Sequence, residues 1–502
     1  MTMLISKSDY MLFLKHPAWI WLKKYDKSKL PPISEALQAI FDEGHLFEKY
    51  AEQLFPDATR LGFDESDFST YLTLPKRTKD AIDKGAKTIL QGRFEYENLT
   101  CIVDVLEKTG ENEFDLYEIK SSTEIKEEHL FDLAFQVYVL EGLGMKIRKI
   151  SVVHVNNEYK RRGEIDIREL CFVSDVTEKV REKKDETEEN IQAAFRILNS
   201  KERPDLSPRH TRGEMKDWME VYRFIHGDFD KYSIYDLCRL RPELVADLED
   251  LNIKLIYDIP DGVKLGNHQK RQLDVTKLEK QVIDKDRIRN FLSEITYPLY
   301  FLDYETMSGV IPQFDGTKPY QQLPFQYSLY VIESLGEEAK HKEYLHRENS
   351  HPVLPLLKKL KEDIKDGGTI FVWHESFEKG RNTEMGELFP EYKEFMESVN
   401  DRIIDLKTPF SSGWFLDKDF LGSASIKKVL PVLFPELSYK DLVIQEGTAA
   451  QRKWMKHVLN EEDPEQREEI LNALVEYCRL DTLAMVKIFE RLQKELIDDS
   501  SF

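Results

Sequence analysis

Apolar positions along this chain repeat with two periods, and the switches between them mark its elements. From Ile33 to Phe55 the residues Ala36, Leu37, Ile40, Phe41, Phe47, Tyr50, Ala51 and Leu54 recur at helical spacing, after a break at Pro31-Pro32 and with an interruption expected at Gly44. Leu99 to Leu106 and Phe114 to Lys120 read as two strands joined by a loop containing Thr109-Gly110-Glu111-Asn112. Glu127 to Leu143 returns to the helical period, and Ile150 to Val155 and Glu169 to Val173 are further strands. Helix, strand, strand, helix, strand is an α/β unit with a crossover connection.

Val176 to Arg203 is dense in charge but carries the stripe Val180, Ile191, Ala194 and Ile197, which predicts a solvated connecting helix ended by the Pro204 to Pro208 segment. Short helical pieces at Ile234 to Leu240 and Pro242 to Leu251, before Ile259-Pro260-Asp261-Gly262, resemble helix-hairpin-helix modules. A plain helical spacer has the same pattern. Strands are then expected at Ile295 to Leu302, Pro324 to Glu333, Gly368 to His374 and Ile403 to Asp405, with helices at Pro352 to Ile364, Ser376 to Leu388 and Gln466 to Ile497. The expected division is 1–175, 176–290 and 291–502.

Composition adds bounds. A chain of 502 residues is too long for one core, and its 41% hydrophobic content supplies several. The net charge of −21 argues against strong nonspecific binding of polyanions, without excluding nucleic acid at a local site. Cys101, Cys171, Cys238 and Cys478 are widely spaced, which suggests reduced thiols rather than a zinc site or a disulfide framework. No run is long enough to span a membrane, and a cytoplasmic location without membrane partners is expected.

The strands carry the candidate chemistry. Alternation puts Glu118 and Lys120 on one face of their strand, where the neighbouring strand can bring Asp104 beside them. Two carboxylates and a lysine suit a metal-assisted phosphodiesterase, although a cross-strand salt bridge uses the same residues. Gly44-His45, Ile102-Val103-Asp104, Glu118-Ile119-Lys120-Ser121-Ser122 and Gln136 together resemble the RecB-like branch of the PD-(D/E)XK nucleases, which includes the CRISPR spacer-acquisition nucleases. The resemblance implies a restriction-endonuclease-like core with His45, Asp104 and Glu118 as metal ligands, Lys120 as the catalytic lysine, and Gln136 and Tyr138 on the substrate. Tyr138 stands two residues after Gln136 instead of four. Many of those relatives hold an iron-sulfur cluster; here His16-Pro17 replaces their early Cys-Pro, Ser207 to His226 lacks cysteine, and no cluster is expected.

In the other half, Asp303 and Glu305 share one strand face, and Tyr477 and Asp481 lie one turn apart on the last helix. Adjacent acids repel, and a hard divalent cation is the usual reason to pair them. Asp303-Tyr304-Glu305, His374-Glu375-Ser376-Phe377-Glu378 and Tyr477-x-x-x-Asp481 resemble the three motifs of DnaQ-like exonucleases of the DEDDy type, on an RNase H-like fold. The resemblance implies that Asp303, Glu305, Glu378 and Asp481 hold two Mg²⁺ or Mn²⁺ ions, that Tyr477 orients water, and that nucleotides leave from a 3′ end. Glu378 stands where the family has Asp, and Asp405 could supplement it. One or two ions are implied for the N-terminal centre.

The expectation is therefore an α/β multidomain nuclease with two centres, acting on DNA and able to accept RNA. The alternative is a nucleic-acid-binding or partner-binding protein of a repair or phage-defence complex, with one centre inactive and a helicase or defence protein as partner.

Overall fold

The structure is a computed structural model and describes residues 3–64, 66–227 and 229–497. The chain forms two compact units of mixed α/β structure. The first comprises Met1–Phe229, Arg241–Ala246 and Gly309–Tyr320; the second comprises Asp230–Leu240, Asp247–Ser308 and Gln321–Phe502. Residues of the 176–290 stretch fall in both units.

In the first unit, β1 (Ile5–Ser6), β2 (Thr59–Arg60), β3 (Thr88–Tyr96), β4 (Leu99–Lys108), β5 (Glu113–Lys120), β6 (Lys146–Val155) and β7 (Cys171–Asp175) make one sheet. Its order is β2-β3-β4-β5-β6-β7, with β1 pairing parallel to the start of β4. The helices are α1 (Lys7–Lys15), α2 (Pro17–Tyr25), α3 (Glu35–Ala51), α4 (Phe68–Asp83), α5 (Glu127–Gly142), α6 (Ile167–Leu170), α7 (Thr177–Glu182), α8 (Lys184–Ser200) and α9 (Met215–His226). The crossover expected from the sequence is α5, which joins the parallel neighbours β5 and β6.

Period-two burial sends alternate residues of β6 to opposite faces. Ile150 and Val152 join a core with Leu133, Leu140 and the α8 residues Ile191, Ala194 and Leu198, while Val153 and Val155 join Phe47, Ala51, Val310 and Ile311 on the other side. The charged segment after Val176 is therefore not a solvated connector, because its apolar stripe closes one face of this sheet. α3 is capped by Ser34, whose hydroxyl accepts the Leu37 N–H, and it runs through Gly44 without a break. Only its C-terminal end buries the expected stripe; Leu37, Ile40 and Phe41 are exposed.

The His16-Pro17 pair is held by side-chain contacts. His16 Nδ1 accepts the Ala18 N–H at the start of α2, Nε2 faces the Ser207 carbonyl at 3.1 Å, and the ring stacks on Trp218 at 3.6 Å. Burial pulls the His16 pKa down to about 4.

In the second unit, β8 (Val282–Ile283) pairs with β14 (Phe415–Leu416) apart from the main sheet. That sheet contains β9 (Leu299–Met307), β10 (Leu323–Ile332), β11 (Lys340–Leu345), β12 (Thr369–Val372) and β13 (Ile403–Asp405), in the order β11-β10-β9-β12-β13. α10 (Pro242–Asp250) has residues in both units, and the remaining helices are α11 (Asn267–Leu278), α12 (Lys285–Leu292), α13 (Val353–Asp363), α14 (Glu375–Leu388), α15 (Lys393–Asp401), α16 (Thr408–Ser411), α17 (Ile426–Leu433), α18 (Gly447–Trp454) and α19 (Arg467–Ile497). Among the described residues no helix is long and apolar enough to cross a membrane.

The long helix α19 is registered on the sheet by specific contacts. Phe301 of β9 packs on Phe371 and Phe489 with ring centroids 5.3 and 5.5 Å away. Further along, Ser328 Oγ and Thr482 Oγ1 are 2.6 Å apart, and Gln326 Nε2 donates to the Leu474 carbonyl at 3.0 Å. Asp303 and Glu305 lie opposite Ser328 and Gln326 in the β9–β10 ladder. The same alternation that turns Phe301 toward α19 therefore turns both acids toward it.

Candidate functional site

In the second unit the site begins where β9 outruns its neighbour. β12 pairs with β9 only through Phe301, so Asp303 and Glu305 lie beyond that ladder. The chain leaving β12 turns at His374 into α14, whose first turn carries Glu378. Asp303, Glu305, Glu378 and Asp481 are brought together. Burial pushes Asp303 well above the usual carboxylate range, and the charges of Asp481, Glu305 and Glu378 push in the same direction. Burial and Asp481 raise Glu305 to about 8; burial and Asp405 raise Glu378 to about 8; burial raises Asp481 to about 6.

Glu378 is 2% exposed, and its Oε2 is buried without a hydrogen-bond partner. Tyr477 is buried one turn before Asp481 on α19, and burial together with the charge of Asp481 raises its pKa. The Asp405 carboxylate, whose charge acts on Glu378, accepts the N–H groups of Glu375 at 3.4 Å and Lys407 at 2.9 Å, and so ties the start of α14 to β13. Three further groups at this site have no motif signal. Tyr439 donates to Asp481 Oδ1 at 2.6 Å, Lys427 lies 5.1 Å from the Tyr477 ring centroid, and Cys478 Sγ is 3.8 Å from Asp303 Oδ2. Lys427 and Tyr439 come from irregular or short segments far from the acids in sequence. Cys478 sits beside Tyr477 and was readable only as one of four scattered thiols.

The first unit holds a second acidic cluster, again beyond the end of a ladder. β4 and β5 pair from Val105 and Tyr117 outward, so Asp104 and Glu118 lie just past the last pair, and Asp104 Oδ2 accepts the Ile119 N–H at 2.7 Å. Here cations are built in. Lys120 Nζ is 2.7 Å from both Glu118 Oε1 and Asp132 Oδ2, and Lys7 Nζ is 2.9 Å from Glu118 Oε1 and 3.3 Å from Asp132 Oδ1. Gln136 Nε2 donates to Glu118 Oε2 at 2.7 Å and to Asp132 Oδ1 at 3.0 Å. Both oxygens of Glu118 and both of Asp132 are taken. Burial alone would raise Asp132, but Lys120 and Lys7 hold it below the usual range; Asp104, without such a partner, is raised to about 7 by burial and by Glu118.

The structure places three further expected residues of this cluster. His45 is exposed, whereas Glu48, one turn further along α3, hydrogen-bonds Gln91, whose amide also lies 3.5 Å from Asp104 Oδ1. Gln136 is fully buried within the ion-pair network, bonded to Glu118 and Asp132. Tyr138 lies on the opposite side of α5, as two helical positions require, against Tyr96 with centroids 6.4 Å apart. Sequence reading missed Lys7, Glu48, Gln91 and Asp132. Asp132 alone had a signal, four residues before Gln136 on the same helix face.

Fold and site together define an α/β protein with, in one unit, a largely buried carboxylate set that forms no salt bridge among the described residues. Residues 300–425 match a domain of unknown function (DUF2779), a stretch that contains Asp303, Glu305 and Glu378. The chain is 27% identical over 236 residues to the uncharacterized protein MG366 of Mycoplasma genitalium, covering 43% of this chain and 35% of that protein. It is 28% identical over 210 residues to the homologue of that protein in Mycoplasma pneumoniae, covering 38% and 31%, and 27% identical over 222 residues to the uncharacterized protein UU173 of Ureaplasma parvum, covering 40% and 32%. The matches span about a third of the length of these curated relatives.

Proposed function

We propose that this protein is a metal-dependent nuclease whose hydrolytic centre is the carboxylate cluster of the second unit. The observation that carries the reading is the set of Asp303, Glu305, Glu378 and Asp481, in which Asp303 is half-buried and the others are buried, with one carboxylate oxygen unpartnered among the described residues and with burial and the charges of the other three raising the pKa of Asp303. Such a set is costly without a cation and fits one. The DnaQ-like reading of an RNase H-like domain, with release of nucleotides from a 3′ end, accounts for the strand, helix and helix that supply these acids.

Bound Mg²⁺ or Mn²⁺ would supply the positive charge that favours attack by water on a phosphodiester and departure of the sugar oxygen. The four acids would hold it. Tyr439 fixes the carboxylate of Asp481 through its hydroxyl, and Tyr477, one turn from Asp481, would position the attacking water. Lys427, beside both aromatic rings, would meet the growing negative charge on the phosphate.

For the first unit, a RecB-like PD-(D/E)XK centre would use Asp104, Glu118 and Lys120. In the arrangement observed, Lys7, Lys120 and Gln136 saturate Glu118, so the residues do not fit a cation and we derive no hydrolytic step there. That saturation favours a second reading of this unit, as a module that grips nucleic acid without cutting it.

The test is a digest of 5′- and 3′-labelled oligonucleotides, DNA beside RNA, with Mg²⁺ or Mn²⁺ and with chelator, using wild type, Asp303→Ala, Lys120→Ala and the double variant. The expected result is chelator-sensitive release from the 3′ end of DNA that Asp303→Ala abolishes. If the double variant cuts as well as wild type, the proposal is wrong.

A further inference from the structure

Cys478 plays no part in the scheme above, yet it stands inside the acid cluster. It follows Tyr477 on α19 and is fully buried, with Sγ 3.8 Å from Asp303 Oδ2 and 4.0 Å from the Asp303 carbonyl. One ligand atom each from Asp303, Glu305 and Cys478 fall within 4.8 Å of one another, and among the described residues no other set of three His, Cys, Asp or Glu side chains does so. A second, independent feature points to a missing positive partner. Glu378, whose charge acts on Asp303, has its buried Oε2 without a hydrogen bond.

We propose that the cation pocket of the second unit is a mixed oxygen and sulfur site, in which the Cys478 sulfur ligates directly beside Asp303 and Glu305 and selects thiophilic divalent ions, Zn²⁺ and Cd²⁺, over Mg²⁺. This rests on the metal-dependent reading of the same site and specifies which cation it takes. The physical reason is donor softness. Mg²⁺ prefers oxygen ligands and water and gains little from sulfur, whereas Zn²⁺ and Cd²⁺ bind thiolate strongly. On ligation the S–H bond breaks, its electron pair becomes the sulfur–metal bond, and the proton passes to solvent, with no change of oxidation state. A buried cysteine serving only as a small apolar side chain would give the metal no such preference.

The experiment uses the full chain, stripped with chelator and titrated with Cd²⁺, Zn²⁺, Mn²⁺ and Mg²⁺ separately. Binding is read by calorimetry, and for Cd²⁺ by the ultraviolet charge-transfer band of a sulfur–cadmium bond. Cys478→Ser should lose that band and weaken Cd²⁺ and Zn²⁺ by about tenfold or more while changing Mg²⁺ by less than about threefold. Cys478→Ala, compared with Cys478→Ser by thermal melting in chelator, reports any loss of packing. In wild type alone, Zn²⁺ should displace the cadmium band at far lower concentration than Mg²⁺, a measurement that needs no variant. If wild type binds Mg²⁺ and Mn²⁺ in a manner lost in Asp303→Asn, but shows no sulfur band and is indifferent to Cys478→Ser, the mixed-donor site is overturned and the hydrolytic reading stands. Failure of wild type to bind any of the four ions would overturn both.

Discussion

The two acidic clusters of this protein start from the same architectural situation and end in opposite electrostatic states. Asp104 lies just past the end of the β4–β5 ladder and Asp303 just past the end of the β9–β12 ladder. In the first unit β4 and β5 both run on past their last pair and part there, in the second β9 outruns β12, and in both the carboxylates lie where pairing has ended. Around Asp104 and Glu118 the fold then inserts Lys7, Lys120 and Gln136. Around Asp303 it inserts more acid, two tyrosines and a thiol, with Lys427 held off against the aromatic rings. Residue type does not decide whether a carboxylate set seeks a cation; the neighbours do, by settling the charge internally or leaving it unsettled.

The sharpest way to break this contrast is to remove the central acid from each cluster. Asp303→Ala should cost about 1,000-fold or more in metal-dependent cleavage, since it deletes the residue on which the other three acids converge. Its stability in chelator should hold or rise, because like-charge repulsion is relieved. Glu118→Ala should do the reverse and lower stability, stranding Lys7 and Lys120. Labelled-oligonucleotide digestion and urea unfolding measure the two quantities.

Next in size is the loss of a built-in cation. Lys120→Met leaves Glu118 and Asp132 with Lys7 as their remaining ammonium partner, and removal of one member of such a buried network costs about 3 kcal/mol. Lys427→Met in the other unit should cost well under half of that in unfolding experiments, because Lys427 hydrogen-bonds the Gln445 carbonyl and forms no close ion pair among the described residues. Equal losses would remove the distinction between the clusters.

Much of this was legible in the sequence, for identifiable reasons. Period-two and helical patterns located β4, β5, β6, β9, β10, β12, β13, α5, α13, α14 and α19 to within a few residues, because their burial is one-sided or complete. Asp303 with Glu305, and Tyr477 with Asp481, could be paired because strand and helix geometry fix such spacings locally. Lys7 could not. It reaches Glu118 because β1, only two residues long, pairs with Leu99 and Thr100 of β4 and starts α1 at that point, 111 positions away in sequence. The α8 stripe was visible, but its dense charge concealed that Ile191, Ala194 and Leu198 close a core.

A smaller effect tests the contrast through pH. Glu305 and Glu378 hold their protons to about 8 in the folded protein against an ordinary value of 4.5, and Asp481 to about 6 against 3.8. Raised carboxylates contribute stability that is fully present below the ordinary value and is lost as pH climbs through the folded one. In chelator the melting temperature should therefore fall between about pH 5 and pH 8. Asp132, held low by its lysines, is ionised in both states across that window and adds nothing to the slope. Saturating Mn²⁺ should flatten the profile, because it binds the ionised acids. A melting temperature that rises with pH in chelator would contradict the unsettled charge assigned to the second unit.

The smallest effect expected comes from His45, and its smallness is informative. The glycine-histidine pair on α3 is the strongest motif signal there, yet the ring is exposed and Glu48 is the α3 side chain linked to Asp104 through Gln91. His45→Ala should change unfolding free energy by no more than about 0.5 kcal/mol, as for most exposed substitutions, and should leave any activity traced to the first unit within about twofold. Glu48→Ala should do more in both respects, because Gln91 loses its partner and Asp104 loses the like charge that helps raise it. If His45→Ala proves the more damaging of the two, the imidazole moves inward in the working protein, and the internal settlement of charge in the first unit gives way when a cation arrives.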